Sequence, residues 1–344
     1  MRKKEHLILP LFQKFISDSR KGKRLQPSGT RIKQSTINFY DFVYLHLKHI
    51  ESLQKTPIKL IIPTGNNKRD LQKEVKYWKN IYSQLFDYLY NERNCHDNYI
   101  SSVVKNIKAF FNYLRKDRLI NVPEYVYKIQ IKKSESAVLA LSVEQLKFLI
   151  YDKPFEALLN DAEKTIKDIF VFGCTVALRQ SDLFAIKYSN IENVNESTYL
   201  NVISKKTNSI SKVKLPEYAI DILQKYKKSK TKTIFSPMSL NWFNVNLKRI
   251  AQKANWTEEI QLHKTQQGVV KKQNKQVVRL CDILSSHFMR RTAITTMIIL
   301  GMNESLVRQI SGHASNSKEF YRYVKYAQTY IDNEINKVHE LMVV

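Results

Sequence analysis

The chain has 344 residues, enough for two ordinary domains with separate cores. Lys and Arg total 57 against 31 Asp and Glu, a formal charge of +26 that points to a polyanionic partner. A hydrophobic fraction of 43% excludes a basic disordered tail, and no run approaches the roughly 18 apolar residues a membrane helix needs. The start, Met1 to His6, leads into an apolar run broken at Pro10, too short for a signal peptide. Cys95, Cys174 and Cys281 are scattered without metal-ligand spacing and read as thiols of a reducing cytoplasm. With 7 Gly and 8 Pro, the composition predicts a mainly helical protein.

A first helix is expected near Leu11 to Ser19. A second follows from Ile37, Tyr40, Val43, Tyr44, Leu47 and Ile50 on one face, with Ser35 or Thr36 as N-cap. A third stripe runs Leu71, Val75, Trp78, Tyr82, Leu85, Leu89. The cleanest is Ile100, Val103, Val104, Ile107, Phe110, Phe111 and Leu114, with Lys105 and Lys108 on the polar side. Together these predict a helical bundle over residues 1–124. A lysine-rich helix face is usually just solvated, and its aromatics usually core. One sign of charge accumulating over the whole domain is what points to DNA.

Pro123 ends the bundle, and residues 125–136, with Lys132 and Lys133, read as an extended basic linker. A second domain is expected over 137–344, its first helix opened by a Ser142-Val143-Glu144-Gln145 capping box. Tyr199 to Ser204 and Ser211 to Leu215 read as a hairpin around a polar tip containing Lys205 and Lys206. The basic stretch Lys264 to Arg279, with Gly268, Lys271 and Lys272, is expected to touch DNA. Tyr330 to Val344 places Ile331, Ile335, Val338 and Leu341 on one helical face. The fold class is therefore mainly α with a small β-hairpin or sheet, an α+β protein.

Chemistry-bearing residues concentrate in this second domain. Breaking a phosphodiester by direct attack needs a nucleophile, cations for the non-bridging oxygens, and an acid for the departing oxygen. Arginine suits the second task, because its planar fork donates twice to a phosphate and stays charged. Arg179 and Arg290 are the candidates. His287, three residues before Arg290, shares its helix face. His313 follows Gly312, a residue suited to end one helix and turn the imidazole into the same pocket. Lys206, near the hairpin tip, is placed to reach a base edge and the leaving oxygen. Each has a plain alternative: Arg179 paired with Asp182, His287 at the surface, Lys206 solvated, Tyr323 docking a C-terminal helix. All of those alternatives must hold together, in this order, in one basic chain.

Three segments carry a resemblance: Ala177-Leu178-Arg179-Gln180-Ser181-Asp182-Leu183, His287-Phe288-Met289-Arg290-Arg291-Thr292, and Ile310-Ser311-Gly312-His313. Residues 137–330 resemble the catalytic domain of the tyrosine recombinases, the phage and transposon integrase family, and the N-terminal bundle resembles that family's core-binding domain. The resemblance implies Arg179 and Arg290 as phosphate clamps, His287 as a proton-handling donor, Lys206 as general acid, and His313 as a further phosphate donor. Asp182 matches an acidic position that supports the site from behind. Lys206 precedes Thr207 as in the family's Lys-Thr pattern, with Lys205 adjacent. The nucleophile is Tyr323 or Tyr321, ten and eight residues after His313, and the family's usual spacing falls between them. The run Phe320-Tyr321-Arg322-Tyr323-Val324-Lys325 favours Tyr323, with one extra residue in the preceding turn.

By resemblance the reaction is strand transfer through a 3′-phosphotyrosyl link. No Gly-x-x-x-x-Gly-Lys loop and no carboxylate cluster for Mg²⁺ stands in the sequence, so no cofactor or metal is expected. The implied partners are double-stranded DNA and three further copies of the chain, a homotetramer on two duplexes with C-terminal segments exchanged. The implied setting is the cytoplasm, bacterial or phage-encoded on a mobile element, at the nucleoid. Two other readings stand beside it. A type IB topoisomerase uses similar chemistry, and Leu300 to Ile310 has the look of a helix-turn-helix in a non-catalytic DNA-binding protein.

Overall fold

Helical periodicity governs the first third of the chain. The computed structural model describes residues 6–61, 68–135, 137–205, 209–227 and 232–342. Four long helices build the bundle: α1 (Ile8–Arg20), α2 (Gln34–Gln54), α3 (Lys68–Asp87, continued by a π-helical turn Tyr88–Glu92) and α4 (Asp97–Lys116). All seven apolar positions of the α4 stripe are buried, and Phe110 and Phe111 meet Phe12, Phe15 and Trp78 in an aromatic core. Each such side chain removed from water stabilises the fold by about 1.5–3 kcal/mol.

Between α2 and the end of the bundle the details depart from the sequence reading in three places. The N-cap of α2 is Lys33, and Ser35 and Thr36 lie inside its first turn. In α3 the stripe begins later, because Leu71 and Val75 are exposed whereas Trp78, Ile81, Tyr82 and Leu85 are buried. Residues 125–128 form a helical turn, α5, where an extended linker was expected. Its Val126 is fully buried, the Tyr127 hydroxyl donates to Asn112, and Lys108 Nζ donates to the Tyr127 carbonyl at 3.0 Å. These contacts hold the turn against α4.

The chain divides into two compact units, and the division is not contiguous: residues 263–276 belong with 1–136, and 137–262 with 277–344. The sequence reading had 137–344 as one block. Within the first unit, the turn Gln266 to Val269 sits on the start of α4. Gln267 and Gly268 have φ of 56° and 78°, so their amides point the same way, and both donate to the Asp97 carboxylate at 2.9 Å. Gln266, also buried, donates to Asn94 and to the Cys95 carbonyl.

The second unit opens with α6 (Val143–Tyr151), where Ser142 and Gln145 form the expected capping box. After α7 (Lys153–Ala157), α8 (Asp161–Val176) runs through the core, followed by α9 (Gln180–Leu183). An antiparallel sheet follows in the order β1 (Ile191–Val194), β2 (Ser197–Ile203), β3 (Ile210–Lys214), one strand more than the hairpin read from sequence. Then come α10 (Glu217–Tyr226) and α11 (Leu240–Lys253), a two-stranded sheet of β4 (Glu259–His263) and β5 (Lys275–Arg279), and α12 (Leu280–Ile283). The last three helices are α13 (His287–Ile299), α14 (Glu304–Ser311) and α15 (Lys318–Met342). The fold is thus mainly helical with small antiparallel sheets. Among the described residues no helix is long and apolar enough to cross a membrane.

Close packing of α8 against α13 is what brings the motif segments together. A Cβ built on Gly173 would lie 2.4 Å from Met289 Sδ and 3.0 Å from Met289 Cβ, so only glycine allows this approach. α15 is one continuous helix into the tail. Ile335 is exposed on it, and the side chains of Val338 and Leu341 lie outside the described residues.

Candidate active site

The site forms where α8 ends. Ala177 caps this helix in the left-handed region, φ 54°, a conformation that costs a non-glycine residue about 1 kcal/mol or more. The resulting turn aims the Ala177 carbonyl at α13, where Arg290 Nη1 donates to it at 2.8 Å. Two residues on, Arg179 caps α9 and donates through Nη1 to Ser204 Oγ at 3.0 Å. Ser204 donates in turn to Asp182 Oδ2 at 2.9 Å, and the Lys205 amide donates to Asp182 Oδ1 at 3.2 Å. Asp182 is 2% exposed, and among the described residues its carboxylate is linked to the Arg179 guanidinium through this serine. It orients the guanidinium without a direct ion pair.

Arg290 also meets His313, its Nη2 lying 3.2 Å from Nε2 and 3.3 Å from Nδ1. His313 follows Gly312, which ends α14 with φ 60°. A side chain at Gly312 would strike Ser209 Oγ at 2.6 Å, so this turn is crowded as well as left-handed. Ser311 Oγ donates to the Val307 carbonyl at 2.6 Å, so its lone pair is what meets His313 Nδ1 at 2.8 Å. Hydrogen bookkeeping then puts the imidazole proton on Nδ1 and leaves Nε2 to accept from Arg290. Burial pushes His313 down to about 4, with Arg290, Arg179 and Arg308 adding to the effect. It is neutral at pH 7.

Tyr323 packs beside these groups, its ring centroid 5.9 Å from that of His313. It is 5% exposed and belongs to a small buried cluster with Ala177, Ala293, Ile294, Val307 and Phe320. Burial raises the phenol pKa and Glu319 adds to the rise, while Arg291, Arg290 and Arg322 pull it down. Tyr321 points elsewhere: it is 54% exposed and lies under the Arg308 guanidinium. Arg290 is lowered to about 10, first by burial and then by Arg179, against the opposing pull of Tyr323, Glu319 and Asp182. Two guanidinium groups, an imidazole and a phenol thus form one interacting cluster. Among the described residues neither Arg179 nor Arg290 forms an ion pair with a carboxylate. Such a cluster suits a tetrahedral anion.

The remaining sequence candidates divide. His287 opens α13 one turn before Arg290 and is exposed. Lys206 lies outside the described residues. In the first unit, Lys105, Lys108 and Lys133 line a cleft of about 640 Å³ with Ser35, Thr36, Asn106 and Asn112. Lys132 and Lys272 are exposed and Lys271 half-buried. Lys108 is the exception among these cations, since it is turned toward the Tyr127 carbonyl and burial lowers its pKa. Sequence reasoning missed Ser204, Ser311 and Ala177. The first two are serines among many, and only their partners single them out. Ala177 had one signal in the sequence, its place between an apolar helix and Arg179, and that signal went unread.

The phage integrase family matches residues 149–329, more than half of the chain. No curated protein matches by sequence. The fold is similar to solved tyrosine recombinases. The Tn1549 transposon integrase in complex with transposon right end DNA superposes with a TM-score of 0.57 at 15% identity, covering 95% of this chain and 99% of that one. Lambda integrase bound to DNA gives 0.55 at 13% identity, covering 90% and 93%. The XerH recombinase on its palindromic difH substrate gives 0.53 at 13%, covering 95% and 94%. The chain belongs to the phage integrase family, the tyrosine-type site-specific recombinases.

Proposed function

We propose that this recombinase cleaves and rejoins double-stranded DNA through a 3′-phosphotyrosine intermediate, with Tyr323 as nucleophile. The observation that supports the reading is the convergence of Arg179, Arg290 and His313 beside Tyr323, with neither arginine ion-paired to a carboxylate among the described residues. The two arginines hold the non-bridging oxygens of the scissile phosphate and stabilise the charge that grows there in the transition state. Asp182, through Ser204, fixes the angle of Arg179. His313, neutral at rest, becomes a donor to phosphate as the anion offsets its cationic neighbours. Tyr323 Oη attacks phosphorus and loses its proton, with His287 as the proton-handling group. Lys206 protonates the departing 5′ oxygen. The same 5′ hydroxyl, or that of a partner duplex, then attacks the phosphotyrosine and releases the enzyme. Each step exchanges one phosphoester for another, so the reading requires neither ATP nor a metal.

Duplex affinity comes from phosphate contacts by Lys105, Lys132, Lys133, Lys271 and Lys272, with Lys108 in the cleft that Lys105 and Lys133 line, and falls steeply with salt. The working assembly in this reading is a homotetramer on two duplexes, acting at the nucleoid. Solved structures of similar fold hold recombinases on their own DNA sites. The test is incubation with DNA from the flanks of the encoding gene, followed by denaturing detection of a protein-linked strand. Wild type gives the adduct. Tyr323→Phe binds the same DNA and gives none, and an adduct on that variant overturns the assignment.

A further inference from the structure

We infer that Arg308 is a positioning residue that fixes the rotation of α15 so that Tyr323, and not Tyr321, faces the phosphate pocket. The inference rests on the reading of Tyr323 as nucleophile. Its origin is a problem of spacing: Tyr323 stands ten positions after His313, and the segment 314–317 between them is a turn. Residues two apart on a helix point about 200° away from each other. A helix that starts from a loose turn could therefore present either phenol, and something has to choose.

Arg308 touches every part that has to be held. Its carbonyl accepts the His313 amide at 3.0 Å, fixing the end of α14. Its Nη1 donates to the Ser315 carbonyl in the middle of the turn, and its Nη2 lies 3.4 Å from Glu304 on its own helix. The guanidinium carbon lies 4.5 Å from the ring centroid of Phe320 and 4.8 Å from that of Tyr321. One planar cation thus joins α14, the turn, and two consecutive aromatics of the first turn of α15. Phe320 is buried and Tyr321 is 54% exposed, so the cation holds one ring inward and the other outward. With those two rings fixed, Tyr323 falls on the buried face beside His313. The side chain of Arg308 is only 17% exposed, in keeping with an internal brace. A further brace is local: Ser317 Oγ accepts the Phe320 amide at 3.3 Å.

The experiment compares wild type, Arg308→Ala and Arg308→Lys on the flank fragment that wild type captures. It reads the rate of adduct formation, the apparent DNA affinity, and which tyrosine carries the nucleotide, by peptide mass spectrometry. The alanine protein is expected to keep its DNA affinity and to lose about 10- to 100-fold in rate, as a misplaced nucleophile does. Part of its residual adduct appears on Tyr321. Lysine restores the rate only in part, since it keeps the charge but lacks the flat face and the second donor. An alanine protein with the wild-type rate, and adduct on Tyr323 alone, overturns the inference. So does a rate loss that merely tracks lost DNA affinity. If the alanine protein fails to fold, the lysine protein is judged by the same criteria. Failure of the underlying reading shows separately, as a wild-type adduct on Tyr321 or on no tyrosine.

Discussion

Two buried charged sites in this molecule are built in opposite ways. In the first unit Asp97 is 1% exposed, yet its carboxylate is surrounded by donors: the Tyr90 hydroxyl at 2.6 Å, the Gln267 and Gly268 amides, and Thr265. Burial alone would raise its pKa, but these donors bring it below the ordinary 3.8. In the second unit burial and neighbouring arginines lower both Arg290 and His313, and among the described residues no carboxylate forms an ion pair with either. The acidic site is complete within the protein. In the proposed reading the basic site is completed by an anion. One charge then holds structure and the others hold substrate, and the difference lies in whether the protein supplies the partner.

Removing each charge should therefore have opposite consequences. Arg290→Met is expected to lower the rate of adduct formation on the order of 10²- to 10³-fold, as loss of a transition-state donor does. Its melting temperature should stay level or rise, because an uncompensated buried cation has gone. A clear fall in melting temperature would mean that Arg290 is a structural residue, and the contrast would collapse. Asp97→Ala should do the reverse, leaving several donors buried without an acceptor and costing about 3 kcal/mol or more in urea unfolding. With the folded pKa of Asp97 below 3.8, its contribution is present above that pH and is lost as pH falls through the folded value.

His313 sharpens the comparison by titration. Its folded value of about 4 lies below the ordinary 6.5, so between these values the unfolded chain binds a proton that the folded chain refuses. Stability should decline as pH drops from 6.5 toward 4, with no contribution from this group above 6.5. Followed by NMR, the ring should titrate near 4 in the free protein and at higher pH with duplex bound, since a phosphate offsets Arg290 and Arg179. An unchanged midpoint on DNA would place the phosphate elsewhere.

The two sites also differ in how far the sequence disclosed them. The α4 stripe was legible because an amphipathic period needs only its own segment, and all its apolar positions are buried. The motif segments around Arg179, Arg290 and His313 were legible because their residue types are unusual together. The Asp97 site was not, because Gly268 reaches it across 171 residues and no local pattern encodes that meeting. Lys264 to Arg279 was read as a basic stretch that touches DNA, with no sign of its packing on α4, for the same reason. Ser204 and Ser311 escaped because a relay is defined by its partners, which only tertiary structure brings near.

Smaller effects test the scaffold beneath the basic site. Gly173→Ala pushes a methyl into Met289, and overpacking of this kind costs about 1–3 kcal/mol. Thermal unfolding should show the loss, and Met289→Ala in the same chain should recover part of it by making room. Full tolerance of Gly173→Ala would show that α8 and α13 have slack, and the alignment of Ala177 with Arg290 would need another cause.

The smallest effect is expected at the second tyrosine, and it bears on the choice that spacing left open. Tyr321 is 54% exposed and its ring already lies under Arg308, so Tyr321→Phe keeps the stack and removes only a solvated hydroxyl. Stability should change by less than about 0.5 kcal/mol and adduct formation not at all. Tyr323→Phe changes one oxygen too, but at a buried ring beside His313. Two substitutions of identical chemistry, two residues apart, should thus leave one enzyme intact and the other unable to cut. If Tyr321→Phe lowers the cutting rate as Tyr323→Phe does, the rotation of α15 on DNA differs from the one seen here, and the pocket has to be rebuilt around the other phenol.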